Sequence, residues 1–208
     1  MYTDYIVVYK YIDNLSLSVS NIKFNYFIYV MDIDNEVELI VAFSKNGIIG
    51  NKNQIPWDIP EDLKRFRDLT INNIVVMGRK TFESLPSGPL KNRINIILTN
   101  KVVNVKDENN PNPNVIYANA DNISTIIKNI NQPYKSVFII GGSEIYKLFI
   151  NYCKIIHITY IDEDFDGDAY FPYDINYFID NYKLITSKKY TSEKQNIKYK
   201  YYTFYNKT

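Results

Sequence analysis

One carboxylate stands where a helix is expected to bury its apolar side. If residues 59–71 form a helix, Asp62, Phe66 and Leu69 fall at positions i, i+4 and i+7, with Leu63 beside them on the same stripe. The charged side chains that this arrangement directs to water are Glu61, Lys64, Arg65 and Arg67. A carboxylate in apolar surroundings costs several kcal/mol unless it is paired or protonated, so it usually has a chemical task. The alternative is a first-turn acid that interacts favourably with the helix dipole.

Two glycine-containing turns have the composition of a phosphate-binding site. Gly141 and Gly142 follow the apolar run VFII, and Gly78 follows IVVM, immediately before Arg79 and Lys80. Each turn is predicted to join a buried strand to a helix, whose N-terminus attracts anions, and glycine lets the backbone approach them closely. A glycine pair alone is more often an ordinary turn. The G-x-G-x-x-G sequence of a standard dinucleotide-binding fold does not occur in this chain.

Other candidate groups are few. The loop 44–55 contains Gly47 and Gly50 among polar residues, which suits a mobile lid. The single Trp57 is expected in the core on composition alone, and the single His157 is interpreted as a structural strand residue. The single Cys153 excludes an internal disulfide. No sequence pattern for a metal cluster, a Ser-His-Asp set or a reactive cysteine is visible.

The elements that would hold these groups alternate between strand and helix. Short runs rich in valine and isoleucine predict strands at 38–43, 74–77, 94–99, 115–117, 136–140 and 154–161. Helical periodicity predicts helices at 59–71, 80–85, 122–130 and 143–149. Continuous apolar strands indicate burial on both faces, as in the parallel sheet of a layered α/β domain. The stretch from Tyr182 to Tyr205 predicts two long strands around a polar turn, hence an antiparallel C-terminal hairpin.

Composition excludes several classes of function. The chain has 208 residues, which fits one domain or one domain with an extension. With 24 basic and 23 acidic residues the net charge is +1, so we expect no nucleic-acid partner and no membrane surface. No apolar run is long enough to span a bilayer, and acidic Asp4 argues against a signal peptide. A cytoplasmic protein is expected.

A compositional boundary divides the chain near residue 36. All seven glycines lie at or after Gly47, and the first 46 residues contain neither glycine nor proline. We therefore predict an N-terminal extension, residues 1–36, and a main domain, residues 37–208. Alternating apolar positions in the extension could form a hairpin at a sheet edge. A poorly ordered tail, or a true start at Met31, is the alternative, and no catalytic role is assigned to this segment.

Five blocks in register resemble the dihydrofolate reductases. They are ELIVAFSKNGIIGNKNQIPW (38–57), IPWDIPEDLKRF (55–66), NIVVMGRKTFESL (73–85), VFIIGGSEIY (137–146) and IHITYIDEDFDGDAYFP (156–172). The resemblance runs from about Val37 to the C-terminus. It implies an α/β fold of three layers, with a mainly parallel eight-stranded sheet, four flanking helices and the C-terminal hairpin. The implied activity is reduction of 7,8-dihydrofolate to 5,6,7,8-tetrahydrofolate by NADPH, which supplies one-carbon metabolism and thymidylate synthesis.

The resemblance also assigns roles around the pterin pocket. Asp62 matches the carboxylate that binds the pteridine, Thr159 matches a threonine that hydrogen-bonds it, and Trp57 matches a tryptophan that caps the pocket and helps to hold a water. These three are the predicted catalytic residues. Arg93 matches the arginine that binds the α-carboxylate of the folate tail. The remaining predicted substrate contacts are Ile40, Ala42, Leu63, Phe66, Leu85, Leu90, Ile140 and Tyr146.

For the cofactor NADPH, the resemblance assigns Arg79 to the 2′-phosphate and Thr81 to the pyrophosphate, and it implies a cis peptide bond between Gly141 and Gly142. The chain departs from the family where an arginine or serine often meets the same phosphate: Asn100 stands there, with Lys101 one residue later. Gly167 and Asp168 match a loop that steadies the lid. The other predicted cofactor contacts are Ala42, Ile49, Gly50, Gly78, Lys80, Leu98, Thr99, Ser143, Glu144 and Ile145, and no metal is expected.

Two rival interpretations are disfavoured by the sequence. The pyrimidine reductase of riboflavin synthesis shares the fold and NADPH but lacks the PW-x-x-P-x-D segment. A binding module that has lost catalysis would not need Asp62, Trp57, Thr159 and the glycine pair together. The expected partners are dihydrofolate, diaminopyrimidine or pteridine antifolates as inhibitors, and a separate thymidylate synthase. A monomer is expected.

Overall fold

The computed structural model describes residues 36–100 and 112–207. Within this part of the chain the strands are β1 (Glu36–Ser44), β2 (Ile48–Gly50), β3 (Ile74–Gly78), β4 (Ile94–Leu98), β5 (Val115–Ala118), β6 (Ser136–Ile139), β7 (Ile155–Ile161), β8 (Ala169–Tyr170), β9 (Lys183–Thr191) and β10 (Lys198–Tyr205). The helices are α1 (Pro60–Thr70), α2 (Arg79–Glu83), α3 (Ile123–Lys128), α4 (Ser143–Phe149) and α5 (Ile175–Asn181), and a short 3₁₀ turn, Ile150–Tyr152, follows α4.

Eight of these strands form one sheet in the order β5-β4-β3-β6-β1-β7-β10-β9. The pairs from β5 to β7 are parallel, and β10 runs antiparallel to both β7 and β9. Because parallel strands share one direction, the carboxyl ends of β1, β3, β4, β6 and β7 lie along the same edge. Ligands of open α/β sheets bind at this edge. The predicted mainly parallel eight-stranded sheet with a C-terminal antiparallel hairpin is confirmed.

The sheet is buried on both faces near its centre. Val75 and Val76 of β3 are both fully buried, although neighbouring residues of a strand point to opposite faces. One face packs in a large cluster with α3, α4 and α5, and the other packs against α1 and α2. This two-sided burial explains why β3, β4 and β6 are continuous apolar runs in the sequence.

Helix α5 is the element that the sequence reasoning missed. Five α-helices, not four, occur in the described residues, and α5 lies inside an aromatic stretch for which the sequence pattern predicts no element. Asp174 caps it by accepting a hydrogen bond from the Tyr177 amide at 2.8 Å. Its Phe178 is fully buried and packs near Phe171 and Phe204. Seven residues are too few for a clear helical period, so tertiary packing stabilises this helix.

The other predicted elements are present with ends shifted by one or two residues. A further two-stranded ribbon, β2 with β8, was not predicted. β1 begins at Glu36, one residue before the predicted domain boundary, while the predicted hairpin or tail before it lies outside the described residues. In the described ranges, no helix is both long and apolar enough to cross a membrane.

Candidate active site

Asp62 lies in the first turn of α1, which begins at Pro60, a residue suited to that position because it lacks the amide hydrogen. Its carboxylate Oδ1 accepts a hydrogen bond from Thr159 Oγ1 at 2.5 Å. Thr159 is 1% exposed and sits in β7, paired with Ala42 of β1 and Tyr201 of β10. The predicted partnership of Asp62 with Thr159 is therefore present. The carboxylate is therefore held by its own backbone on α1 and by the Thr159 hydroxyl on β7.

Burial raises the pKa of Asp62 above its usual value, and this desolvation is the largest influence on it. The hydrogen bond from Thr159 and the positive charge of Arg65 act in the opposite direction. A carboxyl group held in this way can change protonation state at a higher pH than an exposed aspartate. Such tuning is typical of groups that bind or transfer protons.

The inward stripe of α1 differs from the predicted one at two residues. Leu63 was expected on the apolar stripe but is 54% exposed, and Arg65 was expected to face water but is half-buried. With 3.6 residues per turn, Leu63 lies about 100° from Asp62 on one side, whereas Arg65 lies about 60° away on the other. The helix is rotated so that its buried side is centred between Asp62, Phe66 and Leu69. The expectation for Glu61 was also wrong in part, because its Oε2 is buried.

Most of the predicted wall residues form an apolar wall on the face of the sheet that carries Thr159. Ile40 and Ile140 belong to one buried cluster, against which Phe66, Leu85 and Leu90 pack. Ala42 is part of the neighbouring cluster that contains Trp57 and Ile59. The hydroxyl of buried Tyr146 donates to the Ile40 carbonyl oxygen at 3.0 Å, so it supports the wall from the opposite face of β1. Exposed Leu63 and buried Tyr146 are therefore the two predicted substrate contacts that stand outside this wall.

Trp57 is buried beside the lid loop rather than deep in the main core. Its ring meets Phe165 edge-on, with 5.3 Å between the ring centroids. It packs with Ile48, Ile161 and Tyr199 in a separate buried cluster. This position, five residues before Asp62 in the chain, places the indole at the junction of the lid, α1 and the C-terminal hairpin.

Arg93 is buried and held in place, not solvated. Its Nη1 donates to Thr70 Oγ1 at 3.1 Å and its Nε donates to the Lys91 carbonyl oxygen at 3.0 Å. Asn95, buried in β4, organises the same loop because its amide binds the Leu90 backbone in both directions at 2.9–3.0 Å and the Arg93 carbonyl oxygen at 3.0 Å. Burial lowers the pKa of Arg93, and Arg67 adds to this effect. Sequence reasoning missed Asn95, whose only signal was a polar residue inside an apolar strand.

The two glycine turns meet each other at the sheet edge. The Gly78 amide donates to the Gly141 carbonyl oxygen at 2.7 Å, and the peptide bond between Gly141 and Gly142 is cis, as predicted. A Cβ at Gly78 would come within 3.2 Å of Ile145, and one at Gly142 within 3.3 Å of Thr81 Oγ1. A side chain at either position would therefore be a tight fit, and the two glycines let the first turns of α2 and α4 lie side by side.

The predicted phosphate contacts lie around these turns, but Arg79 has a partner. Its Nη1 donates to Glu83 Oε1 at 2.5 Å, and both side chains are about half exposed. Ser143 Oγ donates to the Tyr170 carbonyl oxygen at 2.5 Å, which joins α4 to β8. Lys101 lies outside the described residues. The other predicted cofactor residues on this edge are Lys80, Thr81, Leu98, Thr99, Asn100, Glu144 and Ile145, of which Leu98 is buried and Lys80, Asn100 and Glu144 are exposed.

The predicted lid loop is fastened to the loop 162–171. Asn46 Nδ2 donates to the Phe165 carbonyl oxygen at 2.9 Å, and the Asp168 carboxylate accepts from the Lys52 amide at 3.2 Å. The Asp168 amide in turn donates to the Gly50 carbonyl oxygen at 3.1 Å. A Cβ at Gly167 would lie 2.6 Å from that same carbonyl oxygen. Asp168 and Gly167 therefore steady this loop, and β2 pairs with β8 beside them.

A contact between two buried ionisable side chains, Glu38 and His157, was not predicted. His157 Nε2 lies 2.7 Å from Glu38 Oε2, and both residues are about 8% exposed. Arg65 lies over the Tyr201 ring, with 4.5 Å from its guanidinium carbon to the ring centroid. Alternate residues of a strand share a face, so Glu38, His157 and Tyr201 lie on one face of the sheet. They come close together only because β1, β7 and β10 are neighbours in it. Among the described residues, no cluster of histidine, cysteine or acidic side chains could hold a metal ion.

The fold and site together define an α/β protein with an anion-binding edge beside a buried carboxylate. A family model described as dihydrofolate reductase matches residues 36–206. A dihydrofolate reductase of Buchnera aphidicola is 41% identical over 161 residues, which cover 77% of this chain and 92% of that protein. A dihydrofolate reductase of Bacillus subtilis is 32% identical over 162 residues, covering 77% and 88%.

A solved structure supports the same conclusion. Dihydrofolate reductase from Enterococcus faecalis, complexed with NADP(H) and RAB-propyl, aligns with a TM-score of 0.68 and 28% identity, covering 83% of this chain and 97% of that one. The chain belongs to the dihydrofolate reductase family.

Proposed function

We propose that this sheet edge binds NADPH and 7,8-dihydrofolate next to each other and that the chain reduces the dihydrofolate to tetrahydrofolate. The observation that carries the proposal is the buried Asp62 carboxylate, hydrogen-bonded by Thr159 and adjacent to an apolar wall. NADPH, when bound, supplies the hydride for C6 of the pteridine. The protein supplies binding, orientation and a path for the proton.

The residues at the edge fit an anionic dinucleotide. The Gly78 and Gly141 turns lie against each other, and basic Arg79 and Lys80 open the helix that follows one of them. The first amides of a helix have no partner within it, so they are free to meet phosphate oxygens. We assign Arg79 to the 2′-phosphate and Thr81 to the pyrophosphate.

Asp62 is the group that orients the pteridine. Its two oxygens can accept paired hydrogen bonds from the 2-amino group and N3, a charge-assisted arrangement that fixes direction as well as affinity. Thr159 occupies one lone pair of Oδ1 and so restricts the rotation of the carboxylate. The raised pKa of Asp62 favours proton delivery toward N5 through water. Trp57 shields this region on the lid side.

Arg93 is assigned to the folate tail. A bidentate arginine suits the α-carboxylate of the glutamate. The bonds from its Nη1 and Nε to Thr70 and Lys91 hold the guanidinium in one orientation before the substrate arrives. Leu90, on the same loop, provides apolar contact for the tail.

The test is a spectroscopic assay of NADPH oxidation with dihydrofolate as substrate. Turnover that depends on dihydrofolate is the expected result. Turnover with a ribosyl-phosphate pyrimidine instead would favour the related pyrimidine reductase. Tight NADPH binding without turnover of either substrate would favour a binding module.

Arg79→Ala is expected to weaken NADPH and leave NADH nearly unchanged. NADH lacks the 2′-phosphate, and a charge-assisted contact is worth roughly 1.5–3 kcal/mol, or about tenfold to a hundredfold in affinity. The measurement is KM for each cofactor in wild type and variant. Glu83→Gln is the matched control, because it removes the partner of Arg79 while keeping the arginine. Equal losses for both cofactors would mean that Arg79 acts on the structure rather than on the phosphate.

A chain that starts at Met31 is expected to fold and to reduce dihydrofolate normally. All of the proposed site residues lie at or after Ile40 of β1, a strand that begins at Glu36, and the family match begins there too. The measurements are the midpoint of urea unfolding and kcat/KM, compared with the full chain. An insoluble or inactive product would show that residues 1–30 contribute to the domain.

The partners beyond the substrate are proposals of the same kind. Antifolates with a diaminopyrimidine or pteridine ring present the hydrogen-bond donors that Asp62 can accept, so we propose them as inhibitors. The chain is expected to act as a monomer in the cytoplasm, with thymidylate synthase as a separate enzyme. Gel filtration of the purified protein would test whether it is a monomer.

A further inference from the structure

A row of polar side chains runs from Glu38 of β1 through His157 of β7 to Arg65 of α1. Glu38 Oε2 lies 2.7 Å from His157 Nε2, and His157 Nδ1 lies 3.3 Å from Thr203 Oγ1 and 3.5 Å from Arg65 Nη2. A guanidinium can only donate, so Arg65 can hydrogen-bond Nδ1 in the tautomer in which that nitrogen is the acceptor and Nε2 donates to the Glu38 carboxylate. The histidine fixes one end of the Arg65 side chain.

Arg65 is held on its other sides by Tyr201 and by the helix. Its guanidinium carbon lies 4.5 Å from the centroid of the Tyr201 ring, a favourable cation–π distance. Its Nη1 is buried and has no hydrogen-bond partner among the described residues. Asp62 stands three positions earlier on the same face of α1, so a buried cation with an unused donor lies one turn from the pterin carboxylate.

We propose that Arg65 is a positioning residue for the pterin site: its charge, held one turn from Asp62 by Tyr201 and His157, favours the ionised carboxylate that binds the substrate. The inference rests on the proposed role of Asp62 and adds to it the source of the compensating charge. Arg65 does not touch the substrate in this proposal. It acts through Asp62.

The groups around the pair support an electrostatic role. Those that face Asp62 or Arg65 from neighbouring elements are Tyr146 of α4, His157 of β7, Tyr190 of β9, and Tyr199 and Tyr201 of β10, with Glu61 beside them on α1. Glu38 of β1 contacts His157 and not the pair itself. Burial raises the pKa of Tyr146, Tyr199 and Tyr201, so these hydroxyls stay neutral at working pH. Within this set Arg65 is the one permanent cation.

The experiment measures the protonation midpoint of Asp62 in the full-length protein by difference infrared spectroscopy, with Asp62→Asn as the reference that identifies the carboxyl band. Arg65→Met should move the midpoint up by about one pH unit, since an opposite charge nearby favours the ionised form. The pH at which single-turnover hydride transfer is half-maximal should move in the same direction. Arg65→Lys keeps the charge and should restore most of the shift.

Two further variants separate charge from packing. Lys64→Met removes a cation from the exposed side of α1, where Lys64 pairs with Asp68, and should leave the midpoint unchanged. If Arg65→Met does not fold, Arg65→Gln removes the same charge with a polar side chain and should raise the midpoint in the same direction. An unchanged midpoint in Arg65→Met, or an equal shift in Arg65→Lys, would overturn it. Normal turnover by Asp62→Asn would instead overturn the role of Asp62.

Discussion

Asp62→Asn is expected to lower the rate of hydride transfer by about 10²–10⁴-fold, the usual contribution of a positioned acid–base group. The amide keeps the shape of the side chain and can still accept the hydrogen bond from Thr159, but it carries no charge for the pteridine and no titrating proton. Affinity for NADPH should stay close to that of wild type, because the cofactor residues lie on other elements. Single-turnover rates and NADPH titrations would measure both quantities.

The same substitution should leave the free energy of unfolding unchanged or raised at neutral pH. The folded pKa of Asp62 is raised above its unfolded value, so wild type has no penalty from this group below the unfolded pKa and loses stability as pH rises through the folded pKa. Asparagine does not ionise, so the variant does not lose stability over this pH range. Urea unfolding of both proteins, at pH values below the unfolded pKa and above the folded pKa of Asp62, would show the difference.

Asp68→Asn is the matched control for both measurements. Asp68 lies on the same helix but pairs with Lys64 on its exposed side. An exposed pair of this kind contributes little, so rate and stability should both stay near wild type. Near-normal turnover by Asp62→Asn would remove Asp62 from the mechanism, whatever its effect on stability.

Gly141→Ala is expected to lower the free energy of unfolding by roughly 2–6 kcal/mol, the sum of backbone strain and overpacking. Gly141 is buried with φ at +105°, a conformation that residues with a side chain rarely adopt. The added Cβ would also lie 2.8 Å from the ring of Tyr146, whose hydroxyl binds the Ile40 carbonyl oxygen. The displacement would therefore reach both the cofactor turn and the pterin wall.

Gly88→Ala separates these two causes. Gly88 also has a positive φ, +69°, but a Cβ there meets nothing within 4 Å. It should cost only the conformational part, about 1–2 kcal/mol. Urea unfolding of both variants, with NADPH affinity measured for each, gives the comparison. Equal destabilisation would mean that contact with Tyr146 contributes nothing.

The sequence by itself determined the sheet and the inward-facing carboxylate of Asp62. Continuous apolar runs such as IVVM and VFII can only be buried between two layers, so they predicted the parallel sheet directly. Asp62 could be identified because helical spacing is a local property, which neighbouring residues express without the rest of the fold. The glycine turns were predicted from composition, whereas the cis bond between Gly141 and Gly142 was predicted only through the family resemblance, and the structure has both.

Only the tertiary structure decided which flank of α1 is buried. Leu63 and Arg65 lie on either side of Asp62, and hydrophobicity alone favoured Leu63 for the interior. The choice of Arg65 depends on Tyr201 and His157, which are more than 90 residues away in the chain and lie beneath α1 only because β10 pairs with β7. Helix periodicity defines a face to within a residue or so, whereas the partner strands fix its rotation. For the same reason the burial of Arg93 against Thr70 could not be predicted from the loop that carries it.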